Sequence, residues 1–178
     1  MRVGGPMGKT AGIKAFWWGL AAYSMLSGFF LYVYRYQINP DGISYISIAQ
    51  KYAAGDWSNA VNGCWSPLFS WLLVPFLLMR IEPLLAAHML QLLLGLLAWP
   101  LSAVLVRRAG LSGDSAAGWW GVLVPLTLSF VLYSISPDFL AALILLAYLA
   151  VVTSLRYRGA EWRYGVYAGL CAGAGFLA

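Results

Sequence analysis

Long runs without a charged residue constrain this chain more strongly than any other feature of its sequence. One run extends from Ala15 to Tyr34, and others cover residues 84–106, 116–136 and 139–155. An α-helix of roughly 20 residues crosses the ~30 Å hydrocarbon core of a bilayer. Only 10% of the residues are charged, whereas a soluble domain has about a quarter. The sequence therefore excludes a soluble globule, a disordered tail and a disulfide scaffold, and it predicts an integral membrane protein.

The Lys and Arg residues lie mostly in short clusters between these runs, and cytoplasmic loops are enriched in both. Three precede the first run, two follow the run 84–106, and three lie between 156 and 163. The apolar run 67–79 would cover only about 20 Å as a helix. If it is a half-helix that returns to the outer face, all three clusters are cytoplasmic, whereas a full span would place the last two outside. We therefore predict a multi-pass protein with a cytoplasmic N-terminus.

The predicted fold is an all-α, polytopic transmembrane helical bundle with an amphipathic outer juxtamembrane helix, in one domain. The transmembrane helices cover residues 15–34, 84–106, 116–136, 139–155 and 164–178, the outer helix covers 43–54, and the short half-helix covers 67–79. On the outer helix, apolar residues from Tyr45 to Ala53 occupy about 160° of arc and polar residues occupy the opposite side. The last run ends at Ala178 without a polar flank, so we expect the N-terminal part of a longer membrane domain, inactive alone.

Two aspartates open helices on the predicted outer side. Asp41 follows an Asn-Pro pair at the start of the outer helix, and Asp138 follows a Ser-Pro pair at the start of the fourth transmembrane helix. Helix N-termini favour negative charge, so both carboxylates suit a general base or a metal ligand beside a lipid headgroup. Such residues are also ordinary helix starts, and capping remains the alternative interpretation of either one.

The chain contains four short motifs in order: NPDGISYISIAQ at 39–50, GDW at 55–57, GCWSPLFSWL at 63–72 and SPDFL at 136–140. With a basic N-terminus and a first membrane helix before them, this order resembles the N-terminal part of the GT-C glycosyltransferases, particularly the bacterial family 39 or protein-mannosyltransferase-like members. The resemblance covers residues 15–178, and the family's chains are much longer. Gly42 stands where many members have Glu, which leaves open any role that needs paired acids in this loop.

The resemblance implies transfer of a sugar from a polyprenyl-phosphate donor to an acceptor on the outer face of the bacterial inner (plasma) membrane. It assigns Asp41 as a catalytic or metal-associated carboxylate and Asp138 as a second catalytic acid. A divalent metal ion, Mg²⁺ or Mn²⁺, is a candidate cofactor at Asp41. Lys51 and Arg80 are candidates for binding the donor phosphate, since a cation matches its charge. The expected partners are the lipid-linked donor, membrane lipids and an unknown acceptor, and the sequence contains no nucleic-acid motif.

Some residues admit other interpretations. Lys and Arg at a membrane boundary commonly extend to lipid headgroups, and Glu82 could pair with Arg80. His88 and Gln91 form a polar pair inside a predicted span, where hydrogen bonds between helices explain them as well as a functional site does. The alternatives to an enzyme are a transporter or channel subunit, which predicts ionisable residues deep in the spans, and a non-catalytic membrane assembly protein, which would tolerate loss of both aspartates.

Overall fold

The computed structural model describes residues 6–133, 135–158 and 162–178, and every regular element in these ranges is an α-helix. The all-α prediction is therefore confirmed. The eight described helices are α1 (Pro6–Val33), α2 (Pro40–Ala53), α3 (Trp57–Ala60), α4 (Pro67–Leu78), α5 (Pro83–Arg108), α6 (Asp114–Tyr133), α7 (Asp138–Arg158) and α8 (Trp162–Leu177).

A helix occurs at each predicted range, and most ends differ by a few residues. The largest difference is in α1, which begins at Pro6 rather than at Ala15. The residues before Ala15 include Lys and Ala, which favour helix without contributing to an uncharged apolar run. The four-residue α3 is too short for a hydropathy pattern to indicate.

Contacts between helices give their relative directions. Gly12 of α1 packs against Ala116 of α6, so these two helices start at the same end of the bundle. Gly19, in the first half of α1, lies against Trp99 in the second half of α5. The Tyr23 hydroxyl, further along α1, donates to the carbonyl of a residue earlier in α5, Leu92, at 3.0 Å. α1 and α5 are therefore antiparallel.

α5 and α7 run side by side in the same direction. Near their starts, Gln91 Nε2 donates to the Ser136 carbonyl at 2.9 Å. Near their ends, Arg108 Nη1 donates to the Thr153 hydroxyl at 2.7 Å. One end of the bundle, the Lys14 end, thus holds the starts of α1 and α6 and the ends of α5 and α7.

The opposite end, the Asp41 end, holds the end of α1 and the starts of α2, α5 and α7. The Gln37 carbonyl, just after α1, lies 3.1 Å from His88 Nε2 in the first turns of α5. The segment between α1 and α5 therefore begins and ends at this end of the bundle. α4, which belongs to this segment, is 12 residues long, or about 18 Å, and it does not carry the chain to the Lys14 end.

The helices enclose two main clusters of buried apolar side chains. The larger cluster lies between α2, α4, α5 and α7 and includes Tyr45, Phe69, Leu90 and Phe139. The second lies between α1, α5 and α6, and in it the Trp99 and Trp120 rings stack at 5.8 Å. α5 contributes to both clusters, so it is the central helix of the fold.

Two of the described helices are long and apolar enough to span a membrane, Ala11–Val33 and Pro83–Arg108. Pro67–Leu78 and Asp138–Ser154 are apolar but shorter. The structure thus supports part of the predicted membrane architecture. Lys14, Arg107 and Arg108 lie at the end opposite Asp41, whereas Arg35 and Arg80 lie at the Asp41 end.

Candidate functional site

The start of α2 is built from Asn39, Pro40, Asp41 and Gly42. Pro40 occupies the first turn, where its fixed φ suits the helix and its missing N–H is not needed. Asn39 is the N-cap, with extended backbone angles (φ −97°, ψ 161°). Asp41 lies in the first turn with an exposed side chain, so it stands at the positive end of the helix dipole. The local sequence therefore explains both the start of α2 and the exposed carboxylate beside it.

α7 begins in a similar way with a proline and an aspartate. Asp138 is the first residue of α7, and the Ala141 N–H donates to the carbonyl of the preceding Pro137 at 2.8 Å. The Ser136 hydroxyl donates to Asp138 Oδ2 at 3.1 Å. The Asp138 side chain is exposed, so a second accessible carboxylate lies at a helix N-terminus at the Asp41 end.

The chain segments that precede these two helices are in direct contact. Asn39 Oδ1 accepts a hydrogen bond from the Ile135 backbone N–H at 3.0 Å. Gly42 lies so close to this contact that a Cβ atom on it would be 2.9 Å from the Ile135 Cβ. Asp41 and Asp138 thus belong to segments that touch each other, although the two residues are far apart in the sequence.

α5 supports both segments from one side. His88 Nε2 lies 3.1 Å from the Gln37 carbonyl in the segment before α2. Gln91 Nε2 donates to the Ser136 carbonyl in the segment before α7, at 2.9 Å. Both side chains are buried. The polar pair in α5 therefore bonds to backbone carbonyls of two loops, where the sequence suggested bonds between helices.

Tyr45 lies one turn after Asp41, and its side chain is buried. Its ring makes edge contacts with Trp65 and Phe69, at centroid distances of 5.1 and 5.4 Å. Burial raises the pKa of the Tyr45 phenol, and the charges of Asp41 and Asp138 raise that pKa further. The charges of both carboxylates therefore affect the same phenol.

A metal ion held by protein side chains alone does not fit this surface. The described residues contain no group of three or more His, Cys, Asp or Glu that could hold one. Mg²⁺ is commonly bound by one or two carboxylates together with waters and substrate phosphates. The exposed carboxylates of Asp41 and Asp138 fit that second kind of site.

Lys51 lies apart from the two aspartates. It is in the last turn of α2, about 15 Å along the helix from Asp41. Its ammonium group donates to the Asn59 carbonyl at 3.1 Å. The hydrogen bond from the Asn59 side chain is the largest cause of a lowered pKa at the nearby Asp56. The Ser58 hydroxyl and the Lys51 charge lower that pKa further. Lys51 therefore stabilises the turn after α2 and does not approach Asp41.

Arg80 has an unusual backbone conformation at the end of α4. Three helices end with the same hydrogen bond. In α4, the Ile81 N–H donates to the Phe76 carbonyl, five residues earlier, at 3.1 Å, and equivalent bonds close the ends of α2 and α5. The residue before that N–H has positive φ in all three: Gly55 (77°), Gly110 (71°) and Arg80 (61°). Glycine adopts this conformation freely, whereas another residue loses about 1 kcal/mol. Arg80 is thus the strained member of the set.

The Arg80 guanidinium is exposed and has no hydrogen-bond or ion-pair partner within the described part of the chain. Glu82, which the sequence suggested as a partner, instead caps α5. Its two carboxylate oxygens accept from the N–H groups of Leu84 and Leu85 at 3.1 and 2.7 Å. Arg80 lies close before α5 in the chain, so it belongs to the Asp41 end with its charge unneutralised.

An apolar groove of about 350 Å³ lies between α2, α3 and α4. Its walls are aromatic and aliphatic side chains: Tyr52, Ala53, Trp57, Trp71, Val74 and Leu78. The Tyr52 ring makes edge contacts with Trp57 and Trp71, at centroid distances of 5.3 and 6.2 Å. The groove is near the end of α2 that carries Lys51.

The structure brings Asp41 and Asp138 to one end and leaves Lys51 apart from them. Sequence reasoning missed Asn39 and Tyr45. The sequence offered capping as an interpretation of Asp41, whereas the N-cap of α2 is Asn39. A Tyr on the apolar face of α2 indicated a buried residue, but neither pattern reveals a contact with a distant loop. In comparisons with known proteins, no family model, curated protein or solved structure matches the chain.

Proposed function

We propose that this chain is part of a membrane glycosyltransferase that moves a sugar from a polyprenyl-phosphate donor to an acceptor on the outer face of the membrane. The observation that carries the proposal is the arrangement of Asp41 and Asp138. Both carboxylates are exposed at helix N-termini, both act on the buried Tyr45, and their supporting segments touch. The resemblance of the NPDG and SPDFL segments to GT-C enzymes supplies the reaction class.

The proposed chemistry is an inverting displacement at the anomeric carbon. Asp41 accepts the proton of the acceptor group as that group attacks, and the bond between the sugar and the carrier phosphate breaks. The polyprenyl phosphate leaves with the bonding electron pair. Asp138 supports Asp41 by orienting the acceptor or by sharing a metal ion. The helix dipoles favour negative charge at both positions, which suits either role.

A divalent ion would neutralise charge on the leaving phosphate. In this alternative role Asp41 would be a ligand of the ion in place of a proton acceptor, with Asp138 as a second ligand, and their exposed carboxylates leave room for water and phosphate oxygens. Mg²⁺ and Mn²⁺ are the candidates because both prefer such oxygen ligands.

The donor lipid phosphate is proposed to bind Arg80. This residue keeps a side chain at a backbone position that favours glycine, and its charge has no partner in the described residues. Lys51 is the weaker candidate, since its ammonium group is bonded to Asn59. The apolar groove beside α4 suits a hydrocarbon chain of the same lipid.

The membrane setting is proposed from the charges. With Lys14, Arg107 and Arg108 in the cytoplasm, the Asp41 end faces outward and the N-terminus lies inside, as in a multi-pass protein of the bacterial inner membrane. A transporter or channel subunit is less favoured by the observed contacts. His88, the ionisable side chain on which that alternative depends, is bonded to a loop carbonyl near the Asp41 end.

The experiment is sugar transfer by the full-length protein in proteoliposomes, with a polyprenyl-phosphate sugar as donor. We expect Asp41→Asn to lower the rate at least a hundred-fold, the lower bound for loss of a general base, and Asp138→Asn to lower it as well. Asp114→Asn is the matched control, because Asp114 also lies exposed in the first turn of a helix but at the Lys14 end. Normal transfer by both Asp41→Asn and Asp138→Asn would exclude the proposed site.

A further inference from the structure

Asn39 stands at the N-cap of α2 but does not cap it. An N-cap Asn usually accepts a hydrogen bond from the second or third N–H of its own helix. Here the side chain makes no such bond. Its Oδ1 instead accepts from the N–H of Ile135, 96 residues further along the chain, at 3.0 Å. The side chain therefore joins two loops rather than ending one helix.

Gly42 leaves the room that this bond requires. A Cβ atom at position 42 would lie 2.9 Å from Asn39 Oδ1 and 2.9 Å from the Ile135 Cβ. Carbon atoms of side chains do not approach other heavy atoms this closely without displacement, since attractive contact begins at about 3.5 Å. Any larger residue at 42 would push the two loops apart.

α5 fixes the same two loops from the other side. The contacts of His88 with Gln37 and of Gln91 with Ser136 lie on residues one helical turn apart. Asn39 lies two residues after Gln37 in one loop, and Ile135 lies directly before Ser136 in the other. The Asn39–Ile135 bond therefore closes a ring of contacts through α5, and Asp41 and Asp138 lie just beyond that bond.

We propose that Asn39 and Gly42 are positioning residues, which form a latch that holds Asp41 and Asp138 in one geometry. Neither residue is proposed to contact the substrate. The inference rests on the proposed function only for the consequence that opening the latch slows sugar transfer. The latch itself is a statement about two loops, and it is testable without any substrate.

The structural test measures hydrogen exchange of the Ile135 amide in three variants of the full-length protein. Asn39→Asp keeps an oxygen at the same position, so it retains the bond. Asn39→Ala removes the oxygen. Asn39→Ser is a good N-cap but its hydroxyl is too short to reach Ile135. We expect Asn39→Ala and Asn39→Ser to raise the exchange rate about ten-fold, the size of effect that one backbone-amide hydrogen bond produces, and Asn39→Asp to leave it unchanged.

The control variant for this measurement is Asn62→Ala. Asn62 Oδ1 also accepts from backbone N–H groups, those of Cys64 and Trp65, but in the loop before α4. Its removal should not change exchange at Ile135. If Asn39→Ser protects the Ile135 amide as well as the native residue does, Asn39 is an ordinary cap and the latch is refuted.

The functional consequence is tested by steady-state sugar transfer. Asn39→Ala and Asn39→Ser should lower kcat about ten-fold or more with little change in the KM for the donor, and Asn39→Asp should keep a higher kcat than either. Faster exchange at Ile135 with unchanged kcat would overturn the positioning role. If Asp41→Asn transfers sugar normally, the proposed function fails, and the exchange measurement still decides whether the latch exists.

Discussion

Gly19→Ala tests the packing of α1 against α5, the contact on which the direction of both helices depends. A Cβ atom at position 19 would lie 2.6 Å from Trp99 Cη2 and 3.0 Å from Trp99 Cζ3. Ordinary contact is about 3.5 Å, so the indole must move by roughly 1 Å. Trp99 is fully buried and stacks on Trp120 at 5.8 Å, so it has little room to move. Overpacking of this kind costs about 1–3 kcal/mol, which lowers Tm by about 2–12 °C in a protein of this size relative to a Gly→Ala change in the same helix that creates no clash and gains the same helix propensity of about 1 kcal/mol.

The assay is thermal unfolding in detergent, followed by circular dichroism. Gly28→Ala is the control in the same helix, because a Cβ at position 28 would meet no atom within 4 Å. Trp99→Phe removes the part of the indole that the new methyl group meets, so the double variant should recover at least about 1 kcal/mol relative to the sum of the single effects. If Gly19→Ala is as stable as Gly28→Ala, or if no coupling with Trp99→Phe is measured, the described packing of α1 on α5 is wrong.

The remaining predictions concern the Asp41 end. Arg80→Gly should raise Tm by about 2–4 °C, since it removes about 1 kcal/mol of backbone strain, while weakening retention of the donor lipid; an unchanged or lower Tm would argue against the strain. In a difference titration against Tyr45→Phe, Asp41→Asn and Asp138→Asn should each lower the pKa of the Tyr45 phenol, because each removes a negative charge beside it, and a phenol insensitive to both would contradict their convergence. Asp56→Asn should destabilise the protein at pH 7, because hydrogen bonds from Asn59 lower the pKa of Asp56 in the folded state; the Tm difference from the native protein should shrink as the pH falls from the ordinary Asp pKa of about 3.9 through the lowered folded-state pKa, and a difference that does not shrink on acidification would have another cause.

The fold was largely predictable because its main elements are long and apolar. Runs of about 20 uncharged residues predict helices whatever their neighbours are. The start of α1 at Pro6 was not predictable, because Lys9 and Lys14 interrupt the uncharged apolar run there. The position of α4 was predicted from its length and from the charges. Residues 67–79 are too few to span a bilayer, and a span there would move the last two basic clusters to the outer side of the membrane.

The candidate site was predictable only in part. Asp41 and Asp138 could be placed at helix starts because aspartate at such a start is a local pattern, and their catalytic role stays a prediction. The contacts that hold the two loops together could not be predicted, because a hydrogen bond such as the one between Asn39 and Ile135 joins residues that no spacing in the sequence relates. Glu82 illustrates the opposite case: an acid directly before Pro83 is a readable N-cap position, and its capping of α5 explains why it does not neutralise Arg80.

We propose that Asp41 and Asp138 act together in one site that transfers sugar. A double-mutant cycle on the full-length protein tests it directly, with transfer from a polyprenyl-phosphate donor as the readout. Residues that act as a unit are strongly non-additive, so we expect the double variant Asp41→Asn, Asp138→Asn to be about as slow as the slower single variant. Rate losses that multiply would show two independent sites, and native rates in all three variants would remove both aspartates from the reaction.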